Sequence, residues 1–163
     1  MSTEEDNKAL VRRVSEEGLN QHNTALVDEL CSPNFVFHTG SRTIQSLPAY
    51  KNFLAQFFSA FPDGRFTIEN LLAEGDCIVV RRTFRGTHKG RLMGLPPTGR
   101  KVTITDMALL RVANGEFVEA WNNSDDLGLL QQLGVVPALF GAVFLAGLAT
   151  SVGLIVLVRK GLK

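Results

Sequence analysis

The stretch EFVEAWNNSDDLGLLQQLG, Glu116 to Gly134, carries an alternating strand (Phe117, Glu119, Trp121) into two asparagines, two aspartates and an amphipathic helix. Strand ends of this kind present the polar groups that make pockets reactive. The candidate here is Asn122, whose amide neither gives nor takes a proton at neutral pH. One strand earlier, alternation places Ile104, Asp106, Ala108 and Leu110 on a single face. Whether Asn122 shares that face depends on the turn at Ala113-Asn114-Gly115. A two-residue turn pairs Met107 with Asn122, whereas a three-residue loop with Gly115 as a bulge pairs Asp106 with Asn122 and Ala108 with Ala120. In the second register Asp106 is a general base, and Asn122 donates a hydrogen bond to a carbonyl or developing oxyanion. The competing reading is an aspartate that only accepts hydrogen bonds from Asn122 and neighbouring threonines.

Three histidines complete the set of neutral-pH proton carriers. His38 closes the short strand FVFHTG and could assist Asp106, or be a partly exposed residue beside a turn. His88 lies in a Gly- and Pro-rich loop and is expected to fix it through hydrogen bonds. His22 falls between two helices, on the surface.

The elements that must position these groups follow from periodicity. Thr3 with Asp6 marks an N-cap and a helix through about Gly18. A second short helix starts after Asn23, carries Leu26, Val27 and Leu30, and is stopped by Pro33. A third runs through IQSLPAYKNFLAQFFSAFPD with Ser46 at its start and a broad aromatic face, most of it core. From Phe66 the period becomes two. One hairpin turns at Glu74-Gly75-Asp76 and a second at Ala113-Asn114-Gly115, with the loop KGRLMGLPPTGR between them. Helices followed by an antiparallel meander predict an α+β domain with helices on one face of a curved sheet. Trp121 alternates away from Asn122 and is expected in the core, with a place beneath the last helix or at a subunit contact as the other options.

The 163 residues suffice for one domain with a core. All 16 acidic and 14 of the 17 basic residues precede Gly134, so that part carries −2. With no recognition motif, this argues against a nucleic-acid partner. Cys31 and Cys77 lack metal-ligand spacing, so no zinc site or disulfide framework is indicated. The polar, acidic N-terminus argues against a cleavable export signal. The segment Ala138 to Val158 holds 21 residues without a charge, followed by Arg159 and Lys160. As a helix it would span about 31 Å, so it is expected to be a transmembrane helix. The predicted organisation is a domain over 1–134, a linker over 135–137, a membrane helix over 138–158 and a basic tail over 159–163. This implies a single-pass C-terminal membrane anchor with the domain on the cytoplasmic side. The seven cations between Asp76 and Asp106 (Arg81, Arg82, Arg85, Lys89, Arg91, Arg100 and Lys101) read as a solvated strand and loop surface, or as a face resting on anionic headgroups.

RGTHKGRLMGLPPTGRKV, LLRVANGEFVEAW and DLGLLQQLG together resemble the SnoaL-like polyketide cyclases (ester cyclases) of the nuclear-transport-factor-2-like superfamily, over about residues 5 to 136. The resemblance implies a cone, in which a bent antiparallel sheet wraps three N-terminal helices around a deep apolar pocket, and homodimers formed through the outer sheet face. It also implies a pocket for a small hydrophobic carbonyl compound, cyclised by general acid–base chemistry with no metal or organic cofactor. Carried over by position, the family's supporting group falls on Ala108 and its carboxylate on Asn122, neither of which transfers a proton. Asp106, Asn122 and His38 are then the catalytic candidates. Phe35, Tyr50, Phe53, Phe57, Phe84, Met93 and Ala108 are the expected substrate wall. Without proton transfer, the same cone would be a hydrophobic-ligand-binding or protein-interaction module.

Overall fold

Helix α1 (Glu4–Arg13) opens the part of the chain that the computed structural model describes, residues 3–40 and 42–135. The Asp6 N–H donates to Thr3 Oγ1 at 3.1 Å, and the Thr3 N–H donates back to Asp6 Oδ2 at 2.9 Å. This reciprocal cap satisfies two helix-end donors. The helix continues as a π-helical stretch, Val14–Leu19, close to the expected end. Helix α2 (Ala25–Leu30) buries Leu26, Val27 and Leu30. It gives way to strand β1 (Cys31–Thr39) before Pro33 is reached, so Pro33 does not stop it. Pro33 instead falls in the register shift between Cys31 and Val36, where its missing N–H interrupts no ladder bond.

A short strand β2 (Arg42–Gln45) folds back on β1, taking Ile44 and Gln45 out of the expected third helix. Helix α3 (Leu47–Ala60) then starts behind Ser46, whose hydroxyl accepts from the Ala49 N–H at 3.3 Å, with Pro48 in the first turn. Four long strands follow: β3 (Arg65–Glu74), β4 (Cys77–Thr87), β5 (Lys101–Ala113) and β6 (Glu116–Ser124). Helix α4 (Asp126–Gln132) closes the described chain behind an Asp125 cap.

The strand order is β2-β1-β6-β5-β4-β3. The chain builds one edge first, crosses through α3 to the far edge, and returns strand by strand until β6 lies against β1. That last contact is parallel, so the sheet is mixed rather than wholly antiparallel. The inner face of β5 buries Val102, Ile104, Asp106, Ala108 and Val112, while Thr103, Thr105, Met107 and Leu109 are exposed. One apolar cluster joins α1 and α2 to the sheet through Val11, Val27, Leu30, Ile78, Val80 and Phe117. A second gathers Ala60, Phe61, Phe84, Val102, Ile104 and Leu133. Burying each large apolar side chain in these clusters contributes about 1.5–3 kcal/mol.

The α+β cone is thus as expected, but a C-terminal transmembrane helix is not part of the fold described. Among the described residues no helix is long and apolar enough to cross a membrane. The longest, α3, has 14 residues and spans about 21 Å, against about 30 Å for a hydrocarbon core. The expectation of a single-pass anchor is corrected on this finding, and residues 138–158, on which it rested, lie outside the described residues.

Candidate functional site

The β5–β6 register decides which side chains meet. Asn114 and Gly115 have φ of 53° and 82°, the two left-handed positions of a two-residue turn, and Ala113 pairs with Glu116 and Val112 with Phe117. Val118 is then one residue too many. The ladder resumes at Arg111–Glu119 and runs through Ala108–Asn122 to Asp106–Ser124. The hairpin therefore matches neither simple register. It starts as the two-residue turn and slips once, setting Asn122 directly across from Ala108 and diagonal to Asp106.

Asp106 is inside, and its cross-strand partner on β4 is Arg82. Arg82 Nε donates to one Asp106 carboxylate oxygen at 3.1 Å and Nη2 to the other, while Nη2 also reaches Asn122 Oδ1 at 3.4 Å. The two charged side chains are 11% and 6% exposed, so solvent screens their attraction little. The guanidinium carbon lies 5.0 Å from the centroid of the Phe66 ring. A carboxylate gripped by both prongs of a guanidinium has its oxygens occupied and is not a free base. Sequence reasoning missed this partner, grouping Arg82 with the solvated cations. The signal was present in the alternation of Val80, Arg82 and Phe84, which puts Arg82 on the face of two core residues. Arg81 points the other way, to Asn70 at 2.9 Å.

A cavity of about 1070 Å³ opens beside this cluster. Tyr50, Phe53, Phe57, Phe84 and Met93 are among its lining residues, with Asp106 and Asn122 among its polar groups. Phe35 and Ala108 are not on the lining. Both are buried in the first cluster, Phe35 packing behind Tyr50 with ring centroids 5.0 Å apart. Burial pushes the Tyr50 phenol up, with the Cys31 and Asp106 charges adding and Arg82 opposing. It is therefore protonated at neutral pH and available as a hydrogen-bond donor.

His38 does not reach the cavity. Alternation along β1 turns Phe35 and Phe37 inward and His38 outward, where its ring stacks on Trp121 at 5.2 Å. Its Nε2 lies 3.0 Å from Glu119 Oε1 and its Nδ1 3.2 Å from Thr43 Oγ1. The His38 contact, seconded by Arg111 at 2.7 Å, holds the Glu119 carboxyl below its usual range. Trp121 is 36% exposed on this outer face rather than in the core. His22 is half-buried, stacked on Phe58 at 4.3 Å, rather than a free surface residue.

His88 is wholly buried at the base of the mouth loop. Its Nδ1 accepts from the Thr98 N–H at 3.2 Å, while its backbone bonds Arg100 O and receives Gly99 N–H, each at 2.9 Å. Desolvation holds its imidazole below the ordinary 6.5, so it is neutral. The loop it ties carries Arg91, Leu92, Met93 and Leu95 to the cavity. Among the described residues no group of His, Cys, Asp and Glu could hold a metal ion.

Comparison with known proteins bears on the family and the fold. The SnoaL-like polyketide cyclase profile matches residues 9–133. The nogalonic acid methyl ester cyclase of Streptomyces nogalater is 27% identical over 116 residues, 66% of this chain and 83% of that protein. A Jannaschia sp. CCS1 crystal structure, described as a SnoaL-like polyketide cyclase, superposes with a TM-score of 0.77 at 26% identity, covering 82% of this chain and 94% of that one. IdmH of Streptomyces antibioticus, described as a polyketide cyclase, gives 0.68 at 30% identity, over 78% of this chain and 97% of its own. With residues 9–133 matched, well over half of its length, the chain belongs to the SnoaL-like polyketide cyclase family.

Proposed function

We propose that the cavity binds a small hydrophobic carbonyl compound, its body against Phe57, Phe66 and Phe84 and its oxygen toward Arg82, Asn122 and Tyr50. The observation that carries this reading is a buried polar cluster in the wall of a cavity whose surface is mostly apolar. The volume of about 1070 Å³ suits a molecule of several fused rings. A guanidinium, an amide and a phenol offer donors to one oxygen, and donors fixed in advance favour an enolate over its parent ketone. Ala108 and Asn122 stand where the resemblance puts the proton-transferring pair, and both Asp106 oxygens are held by Arg82. The site therefore polarises and retains its ligand without a proton shuttle of its own. A second reading, cyclase-type turnover with Asp106 as base, draws on Asp106 sharing the inner face with Asn122; Arg82 would have to release one oxygen. On the outer face the exposed Met107, Leu109 and Trp121 support a homodimer through the sheet.

Calorimetric titration with 1-tetralone tests the reading. Binding weakened about five- to tenfold by Asn122→Leu or Tyr50→Phe is expected, the size of one lost hydrogen bond. An absence of binding by the unaltered chain would overturn it. Loss of deuterium from α-deuterated 1-tetralone separates the two versions. No exchange despite binding supports the binding site, whereas exchange abolished by Asp106→Asn supports turnover.

A further inference from the structure

We propose, resting on the cavity reading above, that the cavity rim recognises a carboxylate, so that the ligand is an amphipathic acid with its carbonyl deep and its charge at the mouth. Five charged side chains line the cavity: Arg42, Arg82, Arg91, Asp106 and Asp126. Arg82 and Asp106 neutralise one another in the interior. The rim keeps two exposed arginines, Arg42 and Arg91, against the single carboxylate of Asp126. Among the described residues neither of those arginines takes part in an ion pair. Lys89, two residues from Arg91, already pairs with Asp63 at 3.7 Å and is not free to serve.

The rim is also held in place. Lys89 and Gly90 both donate backbone N–H groups to the Ala60 carbonyl, at 2.9 and 3.1 Å. Gly90 lies so close to the Ser59 carbonyl that a Cβ there would overlap it. Just beyond Arg91, Leu92 and Leu95 exchange backbone hydrogen bonds of 3.0 and 2.8 Å across Met93 and Gly94, whose φ values are 47° and 85°. Arg91 thus projects from a loop anchored on both sides. Arg42 starts β2, paired with Thr39 at the neighbouring hairpin. Two guanidinium groups on separate elements serve one opening. A carboxylate matches their planar donor fork, and an ester of the same body brings no charge to it.

The test uses the full chain with anthraquinone-2-carboxylate and its methyl ester, titrated at low and high salt. The acid is expected to bind about fivefold or more tightly than the ester, with the advantage shrinking in salt. Arg42→Gln combined with Arg91→Gln should lower acid binding to the level of the ester and leave the ester unchanged. Asp126→Asn should raise acid affinity alone. Ester and acid binding equally, or falling equally in the double variant, would overturn the rim proposal while the cavity reading stands. Binding of neither would overturn both.

Discussion

Replacing Arg82 with methionine removes the cation and leaves the Asp106 carboxylate, 6% exposed, without its ion-pair partner. The methionine fills much of the lost volume, so the change probes charge more than packing. Removing one member of a buried pair costs about 3–5 kcal/mol, because the partner loses its compensation while staying desolvated. Removing both members with apolar residues strands nothing, and Arg82→Met with Asp106→Leu should recover all but about 1–2 kcal/mol. The assay is urea denaturation of the parent, both single variants and the double variant, with slopes compared to confirm that the same surface unfolds. At about 2–4 °C per kcal/mol the single Arg82 variant should also melt roughly 6–20 °C lower. A loss below about 1 kcal/mol for Arg82→Met, or additive losses in the double variant, would refute the reasoning. The first result would mean that the pair is solvated, the second that it does not act as a unit.

Acid should weaken the fold in two separate windows. The folded value of His88 lies below 6.5, so the unfolded chain binds that proton first; its contribution is complete above about 6.5 and declines as pH falls further, and His88→Gln should flatten this limb of a urea-midpoint profile. Asp63, brought from 3.8 to about 2 by the Thr87 hydroxyl and N–H, contributes above its ordinary value and is lost as pH falls toward about 2, a limb that Asp63→Asn should remove. Gly90→Ala forces a methyl onto the Ser59 carbonyl and should cost roughly 1–3 kcal/mol in thermal denaturation, with weaker ligand binding as the loop base shifts. Leu109→Lys on the outer sheet face should convert a dimer to a monomer by light scattering and leave 1-tetralone binding intact; an unchanged mass, or loss of binding, would count against the sheet as the interface.

Much of this arrangement was legible because its signals are local. Thr3 with Asp6, Ser46 before Leu47 and Pro48, and glycine at the tips of both long hairpins each state a cap or turn within a few residues. The parallel pairing of β1 with β6 joins residues far apart in sequence and leaves no local mark. Strand β2 is too short to show a period, so the sequence pattern alone assigns its last two residues to the next helix. The bulge at Val118, which the turn residues do not announce, sets the relation of Asn122 to Ala108 and Asp106. Of the two roles open to His38, assistance to Asp106 is excluded by the alternation with Phe35 and Phe37, which turns its ring outward. Arg82 was hidden by the charge of its neighbours, although the pattern of Val80 and Phe84 already placed it inside.

The central claim is that the ligand's carbonyl oxygen meets the donors of Arg82, Asn122 and Tyr50 in the cavity. Isotope-edited infrared spectroscopy of carbonyl-labelled 1-tetralone bound to the chain measures this directly, since hydrogen bonds to the oxygen lower its stretching frequency. The stretch should fall below its value in hydrocarbon solvent and return part of the way in Asn122→Leu and in Tyr50→Phe. A bound carbonyl that vibrates as it does in hydrocarbon, unmoved by either substitution, would contradict the account.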